Sequence, residues 1–134
     1  IEINRFKKVI DIGPGKIILS SHANMQIERL GLISDSEISE ILSKTLWAAI
    51  SYPQSLLAKS GVFAAYAAHA CCVVNFDSDN DECFHDGLKS GLHYVTPIMT
   101  IKKDDIISIG YLLYDWYQEH NIQKHKELFS QIIN

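Results

Sequence analysis

The segment Tyr52-Pro53-Gln54-Ser55-Leu56-Leu57-Ala58-Lys59-Ser60-Gly61 holds the residue types best suited to seizing an anion. Ser60 is a good N-cap residue, and the alanine-rich run Gly61 to Ala68 after it favours a helix. A helix opening there leaves its first backbone N–H groups without intrahelical partners, at the positive end of the helix dipole. Such an end suits a phosphate. The Ser60 hydroxyl would add a donor and Lys59 a charge, while Gly61 removes side-chain bulk so that a ligand can reach the backbone. Ala64, Ala65 and Ala68 would let the helix lie close to a sheet. The same residues equally suit a capped packing helix with no ligand, and residue type alone leaves both readings open.

Other clusters offer less. Gly13-Pro14-Gly15-Lys16 is neither G-x-G-x-x-G nor a Walker loop, and reads as a plain turn. Asp77, Asp79 and Asp81 alternate as in an EF-hand, but Glu82 stands where that loop needs glycine and Leu88 where it needs glutamate. A solvated acidic loop is the expectation. Cys71, Cys72 and Cys83 lack C-x-x-C spacing, and His120 and His125 are five apart rather than the four of a helical metal pair. No metal and no cofactor is expected from these spacings. His69, placed at the end of the alanine-rich helix, is favoured there by the dipole without doing chemistry.

The elements that must position these residues follow from the apolar pattern. Val9 to Ile12 reads as a buried strand ending at Gly13-Pro14-Gly15, Ile17 to Leu19 is a second apolar run, and Gln26 to Leu30 alternates as a strand ending at Gly31. Ser34 opens a helix with Glu37 as its capping-box partner, and Ile38, Ile41, Leu42 and Thr45 give that helix one apolar face. Trp47 to Tyr52 is β-prone and stops at Pro53, Cys71 to Phe76 is a buried strand, and His93 to Val95 is a short one before Pro97. Asp104-Asp105 start a helix whose Ile106, Ile109, Leu113, Trp116 and Tyr117 share a face. Asn121 should end it in the left-handed conformation, and a last amphipathic helix carries Ile122, Leu128, Phe129, Ile132 and Ile133. Alternation of this kind implies an α/β fold with right-handed crossovers, a parallel sheet and helices on both faces. Ligands in such folds bind beyond the carboxyl ends of the strands, which directs attention to the junctions at 13–16, 31–34 and 52–61.

Composition narrows the function further. A chain of 134 residues fits a single domain, and 47% apolar with 21% charged residues is ordinary for a packed globular protein. Twelve Lys and Arg against sixteen Asp and Glu leave a net charge of −4 with no basic run, which speaks against a nucleic-acid partner. No apolar run is long enough for a transmembrane segment, and no secretory leader is read. Three cysteines, two of them adjacent, point to reduced thiols and a cytoplasmic setting.

Several of these stretches resemble a known family. Ile27-Glu28-Arg29-Leu30-Gly31-Leu32-Ile33-Ser34, then Ala48-Ala49-Ile50-Ser51-Tyr52-Pro53, Leu57 to Ala70 and Val73-Val74 are similar to the C-terminal lobe of a GT-B glycosyltransferase. The tail from Leu112 to Ile132, with Trp116-Tyr117 and His120, is similar to its closing helices. The resemblance implies a Rossmann-like parallel sheet and a nucleotide-diphosphate sugar as partner. It assigns the donor diphosphate to Lys59, Ser60, Gly61 and Val62, and the nucleotide base to Leu32 and Ile33 through backbone contacts. It assigns no catalytic residue, since the base in this family usually lies in the N-terminal acceptor lobe, which has no counterpart here. Three departures stand out. Leu57 and Ala65 occupy positions where many members carry glutamates, Ala70 and Cys72 replace a glycine and a proline before the strand, and the first strand–helix unit of the lobe is unmatched. The chain is therefore expected to be a portion of a larger enzyme, inactive on its own, with exposed apolar surface that favours self-association. A non-catalytic α/β module binding a nucleotide or a protein partner is the alternative.

Overall fold

The computed structural model describes residues 6, 8–15, 26–77 and 86–133. Lys16, the apolar run at 17–19, and Asp79, Asp81, Glu82, Cys83 and His85 lie outside the described residues. The elements, in chain order, are β1 (Lys8–Ile12), β2 (Gln26–Gly31), α1 (Asp35–Leu42), β3 (Trp47–Ile50), a 3-10 helix (Gln54–Lys59), α2 (Gly61–Ala68), β4 (Cys72–Asn75), α3 (Lys103–His120) and α4 (Ile122–Ile133). The fold is mixed α/β with parallel strand pairing. Instead of one continuous sheet, the described strands form two pairs, β1 with β2 and β3 with β4. The chain divides into two compact units, Ile1–Ile41 and Leu42–Asn134.

In the first unit, β1 and β2 run parallel from Lys8↔Gln26 to Ile12↔Gly31, with the register shifting after Asp11. β1 is not the buried strand its composition implies. Val9 and Ile12 are half-buried and Ile10 is exposed, because among the described residues β1 bonds to β2 alone. Both strands end at glycines with positive φ, Gly13 at +128° and Gly31 at +65°, and the Gly13 N–H donates to the Gly31 carbonyl at 2.8 Å. The capping box ahead of α1 is formed: Ser34 N–H donates to Glu37 Oε2 at 2.9 Å and Glu37 N–H to Ser34 Oγ at 3.3 Å. Hydrogen bonds from the Ser34 hydroxyl and then its amide hold the Glu37 carboxyl below its ordinary range.

In the second unit, β3 and β4 pair in parallel from Trp47↔Cys72 to Ile50↔Asn75. Parallel neighbours need a crossover, here the 3-10 helix and α2. Val95 adds a parallel bridge on the other side of β4, donating to Val73 O and accepting from Asn75 N–H, each at 2.9 Å. The expected strand at 93–95 shrinks to this bridge and one between Ser90 and Tyr94, because a turn over 91–93 precedes it. Leu57, Phe63, Ala67, Cys71, Cys72, Val73, Val95 and Leu113 are fully buried and form the core. Gly110 of α3 lies against the carbonyl of Ala70 so closely that a Cβ would collide with its oxygen.

Asn121 ends α3, but not as expected. Its φ of −74° and ψ of 164° are extended rather than left-handed. The reason is that it also begins α4: its Oδ1 accepts the Lys124 N–H at 2.9 Å, and an N-cap needs extended backbone. Leu32, Ile98, Ile122 and Ile132 are at least four-fifths exposed. Among the described residues no helix is long and apolar enough to cross a membrane.

Candidate functional site

β3 ends at Ile50, and the chain passes through Ser51-Tyr52-Pro53 into the 3-10 helix. The sequence gives no periodic signal for that short helix, which lies within the 52–61 junction. Pro53 sets its start, with Leu56 N–H donating to the Pro53 carbonyl at 2.9 Å. Ser60 closes the 3-10 helix and opens α2. Its N–H donates to the Leu57 carbonyl at 3.0 Å, and its Oγ accepts the Phe63 N–H at 3.2 Å. Because α2 runs from the carboxyl end of β3 to the amino end of β4, its first turn sits where ligands of parallel sheets bind.

The four residues Lys59, Ser60, Gly61 and Val62 come together at this turn. Lys59 and Gly61 are exposed, and Val62 is 54% exposed, so side chains do not plug the spot. Among the described residues, no acceptor bonds the Gly61 and Val62 amides, which leaves two orphan donors of the helix end. Ser60 is only 7% exposed; its oxygen accepts the capping bond, and its hydroxyl proton remains able to donate. Ser60→Ala should therefore lower stability by about 1 kcal/mol, read from a urea unfolding curve. Leu32 and Ile33 follow Gly31 in the first unit; Leu32 is exposed and Ile33 half-buried.

Sequence reasoning missed the side chains that fix the approach to α2. Asn75, fully buried at the end of β4, accepts the Tyr52 N–H on Oδ1 at 3.1 Å and donates from Nδ2 to the Tyr52 carbonyl at 2.9 Å. The same Oδ1 accepts the Asp77 N–H at 3.3 Å. Gln54 Oε1 accepts the Tyr94 hydroxyl at 3.1 Å, and its Nε2 donates to the Asp77 carbonyl at 3.5 Å. The available signal was Asn75 itself, a polar residue inside an apolar run, since a buried amide must find partners.

A cavity of about 80 Å³ adjoins the 3-10 helix, lined by Ala58, Asp86, Trp116, His120 and His125. The break at Asn121 brings the two histidines to one cavity, so their count along the sequence does not describe their placement. Trp116 stacks on His120 with ring centroids 4.5 Å apart, meets Phe63 edge-on, and donates from Nε1 to the Asp86 carbonyl at 2.6 Å. Among the described residues no three His, Cys, Asp or Glu side chains converge as a metal-ligand set. Cys71 and Cys72 are buried free thiols, pushed up by burial to about 11 and about 12, so they stay protonated at neutral pH. His69 caps α2, its Nδ1 2.8 Å from the Ala65 carbonyl.

Comparison with protein-family models, with curated proteins and with solved structures finds no match.

Proposed function

We propose that this chain is the donor-binding portion of a GT-B glycosyltransferase, holding the diphosphate of a nucleotide sugar at the first turn of α2. The observation that carries the reading is the pair of open amides at Gly61 and Val62, at the carboxyl end of β3, beside the charge of Lys59. The backbone at Ala70 supports it. Ala70 has φ of +53°, a left-handed conformation that favours glycine, at the position where the resemblance expects glycine. The Rossmann-like lobe of the GT-B architecture is the fold this reading requires.

The alternative, a non-catalytic module that binds a nucleotide or a protein, is favoured by one observation. Leu57 stands where many members carry a glutamate and is fully buried, so this position has become core rather than ligand surface. Sugar transfer would then lack an acid that such members use.

The deciding variant is Gly61→Pro. Ser60, at φ −81° and ψ 117°, already has the backbone that a residue before proline prefers, and a Cβ at Gly61 meets nothing within 4 Å. Proline is tolerated at the first helical position. The change should alter stability by less than about 0.5 kcal/mol while deleting one phosphate donor. UDP, GDP and ADP are titrated, with and without an attached sugar, while amide shifts are recorded. Shifts centred on Gly61 and Val62, with affinity reduced roughly tenfold or more in Gly61→Pro, support the donor site. Silence with all three nucleotides overturns it.

A further inference from the structure

The turn from Lys89 to Tyr94 is closed by an imidazole. His93 Nδ1 accepts the Lys89 N–H at 3.0 Å, while the His93 N–H donates to the Lys89 carbonyl at 2.9 Å. The Gly91 N–H donates to the Tyr94 carbonyl at 2.7 Å, with Gly91 at φ +81°. Tyr94, buried at the end of this turn, donates its hydroxyl to Gln54, the first residue of the 3-10 helix that leads to Ser60. A continuous run of bonds thus joins His93 to the entry of α2.

A ring nitrogen that accepts a hydrogen bond carries no proton. The Lys89 contact therefore requires His93 to be neutral, with its proton on Nε2. Adding a proton to Nδ1 turns the acceptor into a second donor facing the Lys89 N–H, and the bond is lost. The surroundings oppose that proton: burial first, then the Lys89 ammonium on the same turn, then His120 of α3, hold the imidazole below its ordinary value of about 6.5. The sign follows directly. A base depressed in the fold contributes stability that is whole above about pH 6.5 and disappears as pH falls through the folded value.

We propose that His93 is a proton-operated latch: neutral, it closes the 89–94 turn, and protonated, it releases that turn and, through Tyr94 and Gln54, the segment that presents the amino end of α2. The consequence for nucleotide binding rests on the donor-site reading above; the latch itself does not.

The test is an NMR titration of the full chain between about pH 7.5 and about pH 5, beside His93→Asn, whose Oδ1 occupies the place of Nδ1 and does not titrate. In the unmodified chain the Lys89 amide proton and the Gln54 side-chain amide should shift with the same midpoint as the His93 ring, below about 6.5. In His93→Asn both should stay still. A Lys89 amide that ignores the His93 titration, or one that moves equally in His93→Asn, overturns the latch. A silent Gln54 beside a responsive Lys89 overturns its coupling to α2. No nucleotide enters either titration, so failure of the latch cannot be confused with failure of the donor site.

Discussion

Gly110→Ala is expected to cost about 3 kcal/mol or more, seen as a large fall in the urea midpoint. The cause is a close approach between two pieces of backbone. A Cβ at position 110 would collide with the carbonyl oxygen of Ala70 and stand 3.0 Å from its carbonyl carbon. Neither side can give way cheaply. Gly110 is in the middle of α3, and Ala70 is held at φ +53° with its N–H bonded to the Ala67 carbonyl at 3.1 Å. Alanine normally stabilises a helix interior relative to glycine by about 1 kcal/mol, so the expected sign here is opposite to helix propensity. A variant as stable as the unmodified chain would mean that α3 does not press on the turn after α2.

Phe63→Ala should cost about 3–5 kcal/mol. Phe63 is fully buried in the first turn of α2, and its ring meets two others edge-on: Tyr94 at 6.4 Å and 83°, Trp116 at 6.1 Å and 66°. Removing it opens a cavity between the Tyr94 and Trp116 rings and strips both contacts at once. The near-ultraviolet circular dichroism of the tryptophans should weaken in parallel with the stability. Phe63→Leu, which keeps much of the volume, should recover a large part of the loss. If Phe63→Ala costs less than about 1 kcal/mol, the ring is not the core element that its burial indicates.

The parts of the fold legible in the sequence are those set by local chemistry. Ser34 with Glu37, and Ser60 before an alanine-rich run, announce helix starts because the capping atoms lie within three residues of what they cap. Gly31 marks the end of β2 because the chain turns there with positive φ. What could not be read depends on distant partners. The composition of β1 cannot say how many strands will flank it, and Asn121 cannot be assigned a conformation until α4 begins beside it. Near the proposed site, the N-cap role of Ser60 was legible because its partner, the Phe63 N–H, lies three residues on. Asn75 and Tyr52 are 23 residues apart, and Tyr94 and Gln54 are 40 apart, distances that no local pattern reports.

The Asn75 amide grips both the N–H and the C=O of Tyr52. Under the donor-site proposal, the chain leading toward α2 has little conformational freedom left to lose on binding. Association there should be fast and carry a small ordering entropy, the thermodynamic profile of a rigid receptor rather than of a loop that folds around its guest.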